Sequence, residues 1–316
     1  MACPTISSPT HMGRRSQSNN RAHSASRKLR SSSTLSSRPL GPRGLFKGDC
    51  LWILSKLPDN SVDAVVTDPP YYGDGQLGNT WAQGMVTTNS TVRNIPSGMA
   101  FDSQQGRQLT QFLRPVADEL LRVVKPGGLG AVFASPRLAH ATASAFEEAG
   151  WWIRDQWVWH YPASQPRAAR LTRFASSSCP PERLAQMNDW KTPQATPAWE
   201  SIVLVQAPPA GTLTANWEQY GCGLLNCSGV TPTTVLGYLK PDSQERAMSG
   251  SHPTPKPVAL CRDLVRRLCP PGGVVVDPFL GSGTTAVAAQ RENREWIGCE
   301  LSNEYWPTIE SRVAVG

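Results

Sequence analysis

Apolar runs that alternate with helical periodicities predict an α/β domain that begins near residue 44. Strands are predicted at residues 45–49, 62–67, 129–134 and 151–159. Apolar residues that recur every three or four positions predict helices at 50–57, 109–124 and 137–149. The continuous apolar run at 62–67 is typical of a parallel strand buried on both faces. This alternation predicts a mostly parallel sheet with helices packed on it.

Two regions interrupt the alternation. Residues 72–103 are rich in Gly, Asn, Thr and Ser without periodicity, which predicts a long loop of functional importance. Residues 160–250 are rich in proline and contain one strong strand, at 201–205, so we interpret them as an inserted or appended subdomain. The pattern then returns with predicted elements at 258–268, 274–277, 284–291, 296–300 and from 304 onwards. Pro115 is expected to kink or split the helix that contains it.

The positive charge of the chain lies in its first residues. The 316 residues have a formal net charge of +7, but residues 1–44 hold eight basic and no acidic residues. Residues 45–316 therefore carry 23 basic against 24 acidic residues and are nearly neutral. We interpret residues 1–43, which are Ser-rich and have no apolar periodicity, as a disordered basic tail.

Composition also excludes several classes of protein. No run of 18 or more apolar residues occurs, so we expect no membrane segment and a cytoplasmic location. The eight cysteines include no CxxC pair, which argues against a zinc site or a disulfide framework. We expect no metal.

The first motif with a chemical meaning is Asp68-Pro69-Pro70-Tyr71, directly after the predicted strand 62–67. Ligands of open α/β sheets bind at the carboxyl ends of the strands. The Asp68 carboxylate and the Pro69 carbonyl could both accept hydrogen bonds from an amine conjugated to a ring, whose lone pair is poorly nucleophilic. The prolines would hold these acceptors rigid, and Tyr71 offers a face for a flipped base. The alternative is a polar turn with the aromatic ring packed on the sheet.

The second motif runs from Asp277 to Thr285 and combines a strand end, a glycine loop and a helix start. Gly281 and Gly283 would let the backbone approach a ligand closely, and Glu300 follows at the end of the next predicted strand, where an acid can bind ribose hydroxyls. The full GxGxxG pattern of dinucleotide sites is absent. The motif therefore predicts a nucleoside-like ligand with a charged group near Asp277.

Together, the two motifs resemble those of the amino-methylating DNA methyltransferases, which modify N6 of adenine or N4 of cytosine. That family has a DPPY-type catalytic motif and an FxGxG motif, here Phe279-Leu280-Gly281-Ser282-Gly283. The order, with DPPY first and with His252-Pro253-Thr254-Pro255-Lys256-Pro257 just before FxGxG, resembles the permuted β class. The resemblance covers about residues 44–71, 117–160, 197–230 and 252–312. It implies a Rossmann-like methyltransferase fold.

The resemblance also implies roles for individual residues. The cofactor would be S-adenosyl-L-methionine, with Asp277 facing its methionine amino group, Glu300 its ribose and Asp49 its adenine. The other residues expected in the cofactor pocket are His252, Thr254, Lys256, Phe279, Gly281, Gly283 and Thr284. The alternative for the 252–257 segment is that its prolines fix the start of the next helix. The catalytic residues would be Asp68, Pro69, Pro70 and Tyr71.

Target recognition is expected between residues 160 and 250. A cluster of arginines there suits contacts with phosphates or guanine edges, and a solvated basic loop is the alternative. Its members are Arg167, Arg170, Arg173 and Arg183. From its position beside DPPY, the loop 72–103 is expected to close over the flipped base.

We therefore expect a site-specific methyltransferase that acts on double-stranded DNA. Adenine N6 is favoured because Asp opens the catalytic motif, where cytosine-N4 enzymes more often have Ser; cytosine N4 is the alternative. A second alternative is a DNA-binding protein on the same scaffold that has lost catalysis. A cognate restriction endonuclease is a candidate partner. The recognition sequence and the oligomeric state do not follow from the sequence.

Overall fold

The computed structural model of the chain describes residues 44–71, 86–88, 92–95, 104–162, 168–193, 195–228 and 231–315. The predicted basic tail, most of the predicted loop 72–103 and Arg167 lie outside these residues.

Eight strands form one mixed sheet. They are β1 (Gly44–Lys47), β2 (Val62–Thr67), β5 (Val124–Ala134), β6 (Trp152–His160), β7 (Trp199–Gln206), β8 (Val235–Gly237), β9 (Val274–Asp277) and β10 (Glu295–Glu300). Their order across the sheet is β1-β10-β9-β2-β5-β7-β6-β8. Two further strands, β3 (Val86–Thr88) and β4 (Val92–Ile95), form a separate antiparallel pair within the segment predicted as a loop.

The sheet is mostly parallel, as the sequence predicted. The five strands from β1 to β5 in the sheet order run parallel to one another. β7 runs antiparallel to both β5 and β6, while β8 is parallel to β6. The amino end of β7 therefore lies at the carboxyl end of β5, where Ser201 pairs with Ala134.

Helices cover both faces of the sheet. They are α1 (Cys50–Leu54), α2 (Gln105–Val123), α3 (Ala139–Glu148), α4 (Pro181–Met187), α5 (Leu213–Tyr220), α6 (Ser243–Met248), α7 (Val258–Leu268), α8 (Thr284–Arg291) and α9 (Trp306–Val315). Ala64 and Val66 of β2 belong to the core cluster that includes residues of α7 and α8. The intervening Val65 belongs to the cluster that includes residues of α2 and α3. Every residue of β2 is buried, because both of its faces are covered.

The structure bears on two details of the sequence prediction. Pro115 lies inside α2 without splitting it. Because proline has no N–H, the carbonyl of Gln111 loses its helical partner. Both residues are exposed, and this carbonyl can therefore bond to water. In the segment 160–250, β7 and β8 belong to the main sheet. The irregular parts of the segment 160–250 lie before and after β7 in the sequence.

No helix in the described part of the chain is long and apolar enough to cross a membrane. The same residues contain no group of three or more His, Cys, Asp and Glu arranged to hold a metal ion.

Candidate active site

A cavity opens at the carboxyl edge of the parallel strands, in the middle of the sheet. Its walls come from the ends of β1, β2, β9 and β10. Of the predicted site residues, those that line it are Asp49, Asp68, Pro69, Pro70, Tyr71, His252, Thr254, Phe279, Gly281 and Glu300. A smaller adjoining cavity is lined by Lys256, Asp277 and Thr284, and shares Asp68 and His252 with the first. Gly283 lines neither cavity, although it belongs to the same loop.

Glu300 ends β10 and forms one wall of the larger cavity. Its Oε2 accepts a hydrogen bond of 2.8 Å from the backbone N–H of Gly281, and its Oε1 accepts one of 2.7 Å from Ser302. Burial raises the pKa of this carboxyl above its ordinary value, although these backbone bonds oppose the change. Glu300 thus ties the glycine loop to the strand end and presents a fixed carboxylate to the cavity.

Asp277 ends the neighbouring strand β9 and is buried. Its Oδ1 accepts hydrogen bonds from the Thr67 hydroxyl, at 2.7 Å, and from the backbone N–H of Phe279, at 3.0 Å. Burial raises the pKa of Asp277 to about 6 in spite of these bonds. A cationic ligand group beside it would favour the charged carboxylate and would lower this pKa.

Asp49 has a structural task that the sequence analysis did not assign. It is the N-cap of α1, and its Oδ1 accepts hydrogen bonds from the backbone N–H groups of Leu51, at 2.8 Å, and Trp52, at 3.3 Å. Asp is among the residues preferred at such positions. The hydrogen bonds of the cap use only Oδ1, and Asp49 also lines the cavity.

The glycine loop lies close against the histidine predicted for the pocket. Gly281 has a φ of +54°, and Gly283, the N-cap of α8, has a φ of +86°. A Cβ on residue 281 would lie 2.7 Å from Nε2 of His252. Glycine is therefore required at position 281 for its backbone conformation and also for the space beside the histidine.

His252 is partly buried and packs against Tyr305, with 5.0 Å between the ring centroids. Its pKa is lowered to about 4, first by burial and then by the charges of Lys256 and Arg312, so the imidazole is neutral at pH 7. Among the described residues, its Nδ1 has no hydrogen-bond partner. A buried polar atom without a partner is costly, and a polar group of a ligand in the cavity could satisfy it.

Arg312 of α9 supports the glycine loop from behind, which the sequence did not predict. This buried guanidinium donates hydrogen bonds through Nη1 to the Ser282 carbonyl at 2.8 Å, the Ser282 hydroxyl at 2.9 Å and the Thr284 hydroxyl at 3.2 Å. Thr284, predicted to bind cofactor, thus also helps to hold the loop. Helical periodicity alone would place such a charged residue on the outer face of α9.

The catalytic turn predicted at residues 68–71 is joined to Lys256 and to an unpredicted acid, Glu200. The Tyr71 hydroxyl donates to Oδ1 of Asp68 at 2.9 Å and also lies 3.2 Å from Oε2 of Glu200. Lys256 is bonded to Oδ2 of Asp68, and its Nζ lies 3.4 Å from Oε2 of Glu200. The Lys256 ammonium also lies 5.1 Å from the ring centroid of Phe133. The site is therefore a compact group of two carboxylates, one ammonium and one phenol.

Both donors in this group remain protonated at neutral pH. Burial lowers the pKa of Lys256, but the opposing effects of Asp68 and Glu200 raise it above its ordinary value. Burial raises the pKa of Tyr71 well above its ordinary value, and the same two carboxylates raise it further.

The sequence marks Glu200 as unusual but does not place it at the site. It is an acidic residue at the head of the apolar run 201–205. Since β7 is antiparallel, its first residues lie at the same edge of the sheet as the ends of the parallel strands. Recognising this required the direction of β7, which the sequence pattern does not contain.

The predicted arginine cluster lies in a small exposed segment. Arg170 directly precedes a 3₁₀ turn at Leu171–Phe174, Arg173 lies within that turn, and Arg183 is in α4. All three arginines are exposed, and Arg170 pairs across a short antiparallel bridge with Lys191. Trp190, next to Lys191, has 67% of its surface exposed. Arg167 lies outside the described residues.

Comparisons with known proteins point to one family. A sequence model of the DNA methylases that modify N6 or N4 amines matches residues 62–311. The Type II methyltransferase M.HindIII of Haemophilus influenzae is 28% identical over 299 residues, which cover 86% of this chain and 95% of that protein. The Type II methyltransferase M.Cfr9I of Citrobacter freundii is 28% identical over 305 residues, which cover 88% and 90%.

Two solved structures show that the fold is shared with DNA methyltransferases. The cytosine-N4-specific PvuII DNA methyltransferase has a TM-score of 0.54 and 19% identity, with 85% of each chain covered. The complex of M1.HpyAVI with SAM has a TM-score of 0.52 and 20% identity, with 85% of this chain and 98% of that chain covered. The α/β methyltransferase fold predicted from the sequence is confirmed.

Proposed function

This chain belongs to the DNA methylase family of N6 and N4 amino-methyltransferases, and from that membership we propose that it is a site-specific DNA methyltransferase of Type II. The methyl donor is S-adenosyl-L-methionine, and the favoured acceptor is N6 of adenine in double-stranded DNA. The observation that carries the proposal is the position of the Asp68–Tyr71 turn, which shares one cavity with Glu300 and the glycine loop. A restriction endonuclease of the same specificity is the candidate partner.

The chain's residues fit S-adenosyl-L-methionine. Asp277 and Glu300 provide carboxylates for its amino group and its ribose hydroxyls, and Asp49 keeps one oxygen for its adenine. The Nδ1 atom of His252 has no partner among the described residues, which suits a polar group of a ligand, and Gly281 leaves the space that a side chain would fill. When bound, S-adenosyl-L-methionine supplies the methyl group as part of a sulfonium.

The catalytic turn acts on the acceptor amine. The Asp68 carboxylate and the Pro69 carbonyl accept hydrogen bonds from its two N–H groups, which directs the nitrogen lone pair towards the methyl donor. The two prolines fix these acceptors before the base arrives, so little reorganisation is needed at the moment of reaction. The base reaches this turn only after it has been flipped out of the duplex.

Cytosine N4 is the alternative acceptor, because the same two hydrogen-bond acceptors suit any exocyclic amine conjugated to a ring. Adenine is favoured by the Asp at position 68. A chain that binds DNA without catalysis is the remaining alternative, and the intact catalytic turn and glycine loop argue against it.

One experiment separates the three. The protein is incubated with methyl-labelled S-adenosyl-L-methionine and unmethylated DNA, which is then digested to nucleosides. Label in N6-methyl-2′-deoxyadenosine supports the proposal, label in N4-methyl-2′-deoxycytidine supports the alternative, and no label refutes both. The matched control is Asp68→Ala, which should abolish transfer but retain cofactor binding. Its fold should be preserved, because Lys256 keeps Glu200 as an anionic partner.

A further inference from the structure

Both oxygens of Asp68 already have partners in this structure. Tyr71 donates to Oδ1 and Lys256 to Oδ2. An amine that donates to a carboxylate already paired with an ammonium meets a weaker acceptor, because much of the negative charge is neutralised. The proposed role of Asp68 therefore requires that at least one of these donors gives way when the target base enters.

Lys256 cannot give way by moving into water. Its side chain is only 6% exposed, and a buried ammonium without a carboxylate partner is strongly unfavourable. Among the described residues, the carboxylates within 4.0 Å of its Nζ are those of Asp68 and Glu200. Glu200 is thus the acceptor that is available when Asp68 is needed elsewhere.

The Tyr71 hydroxyl also lies close to both carboxylates. It has one hydrogen, and it lies 2.9 Å from Oδ1 of Asp68 and 3.2 Å from Oε2 of Glu200. For both Tyr71 and Lys256, the contact with Glu200 is longer than the contact with Asp68. Their contacts with Glu200 end on the same atom, Oε2. A small shift of the two donors towards that atom would release both oxygens of Asp68.

We propose that Glu200 is a positioning residue, which takes over Lys256 and Tyr71 from Asp68 when the target base enters and so makes the Asp68 carboxylate available to the amine. The inference rests on the proposed function. Glu200 does not contact the reacting atoms. The exchange moves two hydrogen bonds from one carboxylate to another and transfers no proton, so Lys256 stays paired throughout.

The test is Glu200→Gln, measured by methyl transfer under single-turnover conditions. Glutamine has the same shape as glutamate. The substitution changes the formal charge of the group of Asp68, Glu200 and Lys256 from −1 to 0, and we expect the fold to be retained. Since Lys256 then has Asp68 as its remaining anionic partner, the rate should fall at least about tenfold, the effect of one charge-assisted hydrogen bond. The KM for DNA and the affinity for the cofactor should stay within about twofold.

A second substitution separates positioning from a structural role. Lys256→Met removes the ammonium that Glu200 is proposed to take over. The double variant of Glu200→Gln with Lys256→Met should therefore transfer methyl groups faster than Glu200→Gln alone. A residue that only supports the fold would give a double variant at least as slow as the single ones. Glu200→Asp keeps the charge and should recover most of the rate, which provides the same test if Glu200→Gln does not fold.

The outcomes distinguish the inference from the proposed function. An inactive wild-type protein in this assay refutes the proposed function. If the wild type is active and Glu200→Gln transfers methyl groups equally fast, the inference is overturned and the proposed function stands. The same holds if the double variant is no faster than Glu200→Gln. A slow Glu200→Gln variant that is accelerated by Lys256→Met supports it.

Discussion

Substituting Gly281 by alanine tests the shape of the proposed cofactor pocket. The backbone at this position has a φ of +54°, which costs a residue with a side chain roughly 1–2 kcal/mol. The new Cβ would lie 2.7 Å from Nε2 of His252, whereas ordinary contacts begin at 3.4 Å. The imidazole must therefore retreat by about 0.7 Å, although it is partly buried and packed against Tyr305. Overpacking of this kind typically costs a further ~1–3 kcal/mol.

Gly221 provides a matched control for this substitution. It follows α5 with a φ of +68°, and a Cβ there would meet nothing within 4 Å. Gly221→Ala should therefore show the backbone cost alone, about 1–2 kcal/mol in the free energy of unfolding measured with urea. Gly281→Ala should lose about 2–5 kcal/mol, the sum of the backbone and packing costs.

Cofactor affinity is the decisive measurement for Gly281→Ala. Because His252 lines the cavity, its displacement should weaken S-adenosyl-L-methionine binding by at least about tenfold in calorimetry, or about 1.4 kcal/mol. Gly221→Ala should bind the cofactor like the wild type. If Gly281→Ala kept wild-type affinity and lost no more stability than Gly221→Ala, the close approach of this loop to His252 would not matter, and the reasoning would be refuted.

Three further predictions follow from the charged groups. Burial raises the pKa of Asp277 to about 6 from 3.8, so the folded chain holds a proton that the unfolded chain releases, and stability from this group falls as the pH rises from 3.8 to 6. Asp277→Asn imitates the protonated form, so it should be more stable than the wild type at pH 7.5 by at most about 3 kcal/mol, while it binds the cofactor less tightly. Thermal unfolding at pH 4 and pH 7.5 checks this, and a variant less stable than the wild type at pH 7.5 would contradict it. Arg170→Gln, Arg173→Gln and Arg183→Gln should each weaken DNA binding and reduce the slope of log affinity against log salt by about 1. Arg266→Gln, in the last turn of α7, should leave this slope unchanged. Deleting residues 1–43 should weaken DNA binding at low salt without altering the recognition sequence, so a changed sequence in the truncated protein would count against a non-specific role for the tail.

The ends of the parallel strands could be predicted from the sequence because burial on both faces leaves a clear apolar run. The polar residues that follow such runs, Asp68, Asp277 and Glu300, could therefore be expected at one edge of the sheet, and the structure brings them to one region. This inference needs only the rule that parallel strands end at the same edge.

The supporting residues could not be predicted, since they depend on pairing direction and on contacts distant in sequence. Glu200 reaches the site because β7 is antiparallel, and Arg312 because α9 packs behind the glycine loop. Asp49 shows a different difficulty. The resemblance implied only a contact with adenine, and the structure shows that this cavity residue is also the N-cap of α1.

The central position of β9 has a consequence for the synthesis of this protein. β2 is made early and β9 late, and the hydrogen bond between Thr67 and Asp277 joins residues 210 positions apart. Until β9 leaves the ribosome, the apolar strand β2 lacks its partner on one side, and the catalytic turn has no glycine loop beside it. A growing chain would therefore expose that strand edge to pairing with other chains, and the site would stay incomplete until the last elements were made.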